Sequence, residues 1–344
     1  LETIMEPSTP NTSIGRVLLL SAGLALIVGV LTLAFAWPSA DMGPSEVPIA
    51  VVGDDATAEQ VQGQLDEAQP DAFDVTAAAD AAEAETLIKE REVYAAFQIA
   101  PDGVTVYTAT AASPTVARLA TGLADQMAAQ MGQATGAQVP VTVEDLVALP
   151  ADDPNGAGLA ASGLPLAAGG IVMAALIGSA VRGSGRQIAA AVLAPPAIGA
   201  GVASVMLYVL ESIDGGFVPV AGALALATGA TGWFILGLRK LLGTAGIAVG
   251  AIIVMLVGNP LSGMTGAPEL LPAPWGEFGQ YLTPGAGATL LRSSAYFDGN
   301  GAATAMWVLA AWLVVGVVLF TIGAVRTKVR AVGVEEKEAV PAAA

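Results

Sequence analysis

Residues 17–36, VLLLSAGLALIVGVLTLAFA, run without a charge into Trp37-Pro38, and the string VPIAVVGDD follows at 47–55. At 1.5 Å per residue the first stretch is about 30 Å long, the thickness of a bilayer's hydrocarbon core. The second is a short apolar run closed by Gly and Asp, the pattern of a buried β-strand entering a turn. Lipid is therefore the expected solvent on one side of Pro38 and water on the other. A cleaved signal peptide is the competing reading of the first stretch, since Ala34-Phe35-Ala36 is a small-residue site. Its length and the interfacial Trp37 favour a retained anchor.

The same lipid signature returns in the second half of the chain. Residues 164–181, 188–210, 217–238, 241–258 and 303–325 are apolar and free of Asp, Glu, Lys and Arg. Together with 17–36 they predict a polytopic α-helical membrane protein with six transmembrane helices and an inserted extracytoplasmic α/β domain over 41–150. Composition agrees: 54% of the 344 residues are hydrophobic and only 12% charged, about half the usual share in soluble domains.

The distribution of basic residues sets the expected orientation. Arg16, Arg182, Arg186, Arg239, Lys240, Arg326, Lys328, Arg330 and Lys337 all fall on one side of the predicted spans. Lys89, Arg91, Arg118 and Arg292 are spread over much more sequence on the other side. The positive-inside rule then predicts a multi-pass cell-membrane protein with both termini, 1–16 and 326–344, in the cytoplasm. Most of the acidic residues behind the net charge of −17 face outward in this arrangement.

Within 41–150 the pattern alternates between strand and helix. Strands are expected at 47–52, 73–76, 93–99 and 104–108, the last two joined as a hairpin through Pro101-Asp102-Gly103. Helices are expected at 57–68, 79–91 and 113–138, with Ser113-Pro114 as cap and first helical residue. A turn-rich connector, 149–163, leads back to the membrane.

Small residues at helical spacing, Gly246-xxx-Gly250, Ala174-xxx-Gly178 and Ala225-xxx-Gly229, allow helices to approach closely, inside the bundle or between subunits. Pro195-Pro196 is expected to interrupt the 188–210 span, as a structural kink or a moving gate. Residues 259–302 are apolar yet broken by Pro260, Gly263, Gly266, Pro268, Pro272, Pro274, Pro284 and Gly285. They read as a re-entrant or interfacial segment, with Trp275, Phe278, Tyr281 and Tyr296 at headgroup depth.

Chemistry is constrained by what is missing. With no Cys and no His, disulfides, thiolate metal sites and the commonest general base are excluded. Asp54-Asp55 and Asp152-Asp153 lack the spacing of a calcium loop. Lys89 beside Glu90 reads as a surface lysine rather than half of a Ser–Lys pair. No enzyme activity, cofactor or metal is expected, and an acidic exterior argues against nucleic acid. Membrane lipids are the expected partners of the basic clusters. Spans without ionisable residues argue against ion-coupled transport. The candidate gate or substrate path comprises Asn259, Pro260, Gly263, Pro284, Pro195, Pro196 and Glu211, the last at the outer end of the 188–210 span with Asp214.

The order of elements, with residues 47–55, Arg91-Glu92-Val93-Tyr94-Ala95-Ala96-Phe97, Gly258-Asn259-Pro260-Leu261-Ser262-Gly263 and Leu282-Thr283-Pro284-Gly285, resembles the YhgE/Pip (phage infection protein) branch of type-2 ABC exporter membrane subunits. The resemblance implies a permease-like component, a homodimer or part of an envelope-export complex, for export or assembly of amphipathic cell-envelope material. The alternative is a non-transporting, membrane-anchored binding or scaffold protein, such as a surface receptor used for phage attachment. No GxxxxGK[ST] loop occurs, so ATP hydrolysis would need a separate subunit. The short cytoplasmic connections offer such a subunit little docking surface.

Overall fold

The computed structural model describes residues 13–338. The remaining parts of the two expected tails, 1–12 and 339–344, lie outside the described residues. Five helices are long and apolar enough to cross a bilayer: α1 (Ile14–Ala40), α5 (Ala157–Ala180), α6 (Ser184–Tyr208), α7 (Phe217–Leu242) and α11 (Ala303–Glu338). Their length and hydropathy make this a multi-pass helical membrane protein.

The expected span at 241–258 takes a different form. Arg239 and Lys240 complete the last turn of α7, and Gly243, at φ 70°, breaks the backbone and starts a separate helix. That helix, α8 (Thr244–Ala251), continues as a π-helix over Ile252–Gly258. The resulting 15 residues span about 22 Å, short of a full hydrocarbon core. Gly250 lies against Ile235 of α7, and the far end brings Asn259 near Gly163 at the start of α5.

Between α1 and α5 lies an α/β region. Strands β1 (Val47–Val52), β2 (Phe73–Ala78), β3 (Ala95–Ala100), β4 (Gly103–Thr108) and β5 (Val141–Asp145) form one sheet in the order β2-β1-β3-β4-β5. All neighbours are parallel except the β3–β4 hairpin. Helices α2 (Asp55–Ala68) and α4 (Pro114–Thr135) cover one face, where Val61, Leu65, Val116 and Ala120 pack on Val47, Ile49 and Val51. Helix α3 (Ala81–Lys89) covers the other through Ala84 and Ile88. Strand β5 was not anticipated. Its VTVED alternation is largely exposed, so it lacks the buried apolar run that marks the other strands.

In the bundle α7 is central, packed on α5, α6, α8, α10 (Thr283–Tyr296) and α11. The small-residue faces serve this packing: Gly229 meets Pro195, Ala225 approaches Gly199, and Gly246 and Gly250 face α7. Helix α6 continues through Pro195 and Pro196, so the two prolines do not end it. Pro195 is buried against Gly229, while Pro196 is exposed. In contrast, most large apolar side chains of α1 are exposed, and the helix meets the rest of the protein near its C-terminal end through Phe35 and Trp37. The last helix, α11, continues through 326–338, where a tail was expected.

Candidate functional site: a folded tongue between two cavities

The proline- and glycine-rich segment after Gly258 forms no long helix, because Pro260 and Pro268 cannot donate to a helical ladder and Gly263 adopts φ 65°. It folds instead into a tongue. A 3₁₀ turn at Pro268–Leu270 makes the tip, and the short helix α9 (Trp275–Gln280) returns the chain to α10. Both roots of the tongue are tied together and to the bundle. Gln280 Nε2 donates to the Ser262 carbonyl (3.1 Å), and Arg292 Nη2 on α10 donates to the Met264 carbonyl (3.0 Å). A Cβ on Gly279 would fall inside the Leu261 carbonyl oxygen, and one on Gly276 inside that of Pro268, so two glycines permit the fold to close.

The tip belongs to the α/β region. Ala267 and Leu270 sit in the same apolar cluster as Val47, Phe73 and Phe97. Gly43 N donates to the Leu270 carbonyl (3.1 Å) and Ser45 N to that of Glu269 (2.9 Å). Tyr94, at the start of β3, donates its hydroxyl to Glu269 Oε2 (2.8 Å). Burial, reinforced by Glu269, raises the Tyr94 phenol far above its ordinary pKa, so it stays a donor.

A second attachment lies at Arg91, in the turn after α3 at φ 65°. Its guanidinium donates to Ser293 Oγ (2.5 Å) and the Thr289 carbonyl (3.3 Å), and lies 5.3 Å from the centroid of the Phe297 ring. Burial lowers the Arg91 pKa from its usual value, with Tyr94 and Glu269 opposing. Close by, Arg292 is 3% exposed and its Nε has no partner among the described residues. Neither Arg91 nor Arg292 is among the path residues predicted from the sequence. The signal available was a cation at 292 in an otherwise apolar run.

Two cavities flank the tongue. One, of about 590 Å³, lies between the α/β region and the bundle, with Glu46, Arg91, Tyr94, Glu269, Glu277 and Gln280 among its lining residues. The other, of about 420 Å³, is bounded by Phe35 of α1, Leu164 of α5 and the root of the tongue. Of the predicted path residues, Asn259, Pro260 and Gly263 line this second cavity. Pro284 packs behind them, close enough that a Cβ on Gly258 would press on its ring. Pro195 and Pro196 are elsewhere, Pro195 at the α6–α7 contact and Pro196 exposed on α6. Glu211 sits exposed at φ 48° in the turn after α6 and lines neither cavity.

The interfacial aromatics divide similarly. Trp275, Phe278 and Tyr281 are exposed, and Trp275 stacks edge-on with Trp37 at 6.1 Å. Tyr296 turns inward instead, its hydroxyl 3.4 Å from the Ser212 carbonyl. The acidic pairs act as caps: Asp54 receives the Thr57 amide, and Asp153 those of Ala157 and Gly158. Lys89 forms an exposed ion pair with Glu85. No family model, curated protein or solved structure matches this chain.

Proposed function

We propose that this chain is a permease-like membrane component for amphipathic cell-envelope material, as its resemblance to the YhgE/Pip branch implies. The observation that carries the reading is the lateral cavity: a fold in an apolar segment brings Asn259, Pro260 and Gly263 into one wall, with Phe35 and Leu164 opposite. Irregular backbone at membrane depth persists where protein satisfies it, and the tongue's hydrogen bonds do so. An apolar cavity bordered by polar groups suits an amphiphile better than an ion.

In this reading the helix Thr244–Gly258 makes a sixth, short crossing. It starts beside Lys240 at one end of α7 and finishes by Gly163 at the opposite end of the bundle. The tongue, the α/β region and both cavities then face outward, with the termini in the cytoplasm. Any energy input comes from a separate ATPase.

The test is to purify the chain in native-lipid discs and compare its bound lipids with those of Ala161→Trp, which places a bulky ring in the lateral cavity. One amphiphile class should be enriched over the bulk membrane and lost in the variant. Identical, bulk-like lipid in both proteins would remove the basis for transport. The scaffold reading, in which the bundle merely anchors the α/β region, would then lead.

A further inference from the structure

The tongue is a wall with a cavity on each side, and one residue belongs to both faces. Leu271, just past the tip, lines the interdomain cavity and the lateral cavity, yet is only 7% exposed. The two spaces differ in chemistry. The interdomain side carries Glu46, Tyr94, Glu269 and Gln280. The lateral side carries Phe35, Leu164 and Met264, with Asn259, Ser262 and Thr265 as its polar groups and no charged residue.

Support for the wall is divided between two bodies. Met264 is buried in the bundle's core, whereas Ala267 and Leu270 are buried in that of the α/β region. Between them Thr265 is exposed, and just before Met264 Gly263 holds a left-handed backbone. A shift of the α/β region relative to the bundle must therefore bend the chain within a few residues, at the edge of Leu271's seat.

We propose that the two cavities are chambers of one amphiphile site, a chamber lined by ionisable side chains for the head group and an uncharged chamber for the tail. Leu271 is the gate between them, and the α/β region holds it shut through Tyr94 and Glu269. This deepens the permease reading by dividing its site. The gate itself is a property of the empty protein and can be tested without a substrate.

Because the chain has no Cys, Ser262→Cys places a single thiol in the wall of the lateral chamber, at a site 5% exposed. The protein is reconstituted in lipid discs, and the rate of labelling by a charged, water-soluble maleimide is measured. With Leu271 present the thiol should react slowly. Leu271→Ala should speed labelling about tenfold or more by joining the chambers, and Leu271→Met, which refills the space, should restore the slow rate. Tyr94→Phe, which removes only the hydroxyl bond to Glu269, should also accelerate labelling by loosening the tip. Circular dichroism of each variant checks that the fold is retained.

Fast labelling with Leu271 in place, or equal rates with and without Leu271→Ala in folded protein, would overturn the gate. A rate that responds to Leu271→Ala but not to Tyr94→Phe would overturn control by the α/β region. Bulk-like lipid in the parent protein, with no amphiphile class enriched, would with the gate kinetics intact instead fault the permease reading.

Discussion

At the residue scale, the tongue depends on positions where a single carbon decides the packing. Gly279→Ala should destabilise the segment by about 1–3 kcal/mol, because its Cβ meets a backbone carbonyl that cannot move aside. Gly63→Ala, in the exposed middle of α2 with open space around it, should stabilise the α/β region by about 0.5–1 kcal/mol. Thermal unfolding of both variants in the same detergent checks the contrast. Asp54 provides a pH signature. Its bonds from the Thr57 hydroxyl and amide hold its pKa below the ordinary 3.8, so its stabilising effect is present above that pH and fades as pH falls through the lower folded value. The difference in unfolding midpoint between the parent and Asp54→Asn should therefore shrink steadily below pH 3.8. A pH-independent difference would show that the cap acts without its charge.

Among the elements, α2, α4 and the β3–β4 hairpin follow from local pattern, and the structure places them almost where periodicity does. The cap of α4 was equally legible: Ser113 Oγ accepts the Val116 amide, with Pro114 opening the helix. The 241–258 span was not, because apolarity alone does not distinguish one crossing helix from a helix restarted at Gly243 and underwound into π geometry. Docking of the α/β region is also an element-scale event, concentrated at the turn after α3. Arg91→Ala removes two hydrogen bonds from a charged donor and a ring contact, and should weaken docking by about 2 kcal/mol. Hydrogen exchange should then accelerate in Pro268–Leu270 and near Phe297 while the centre of the sheet stays protected. Uniform acceleration would mean that Arg91 supports the whole fold rather than the joint.

For the whole molecule, the proposed topology is open to labelling of single introduced cysteines. Thr76 and Thr142 are exposed on the α/β region and should react with an impermeant reagent in intact cells, whereas Thr327 should react only after lysis. Ser113, although on the same region, is 1% exposed and would be a misleading reporter. Reaction of Thr327 from outside would reverse the orientation. Residues 41–150 alone should fold less stably than in the full chain, because Ala267, Leu270 and Phe297 complete its two apolar faces. Calorimetry of the fragment should show a broad transition at reduced temperature. A midpoint equal to that of the region in the full chain would show that docking contributes nothing to its stability.

The sequence by itself determined the solvent of each part, since long uncharged runs belong in lipid and alternating, acidic stretches in water. It also marked residues 259–302 as unable to form a continuous helix, and so directed attention to Asn259, Pro260 and Gly263. Only the tertiary structure decided which of the flagged residues meet. Pro195 packs instead against Gly229, and Pro196 and Glu211 are exposed away from both cavities. Arg91, Tyr94, Glu269 and Leu271 become a joint and a wall only when chain separated by nearly two hundred positions is brought together. Periodicity reports whether a residue is buried; the partner it is buried against depends on long-range packing, which no local window contains.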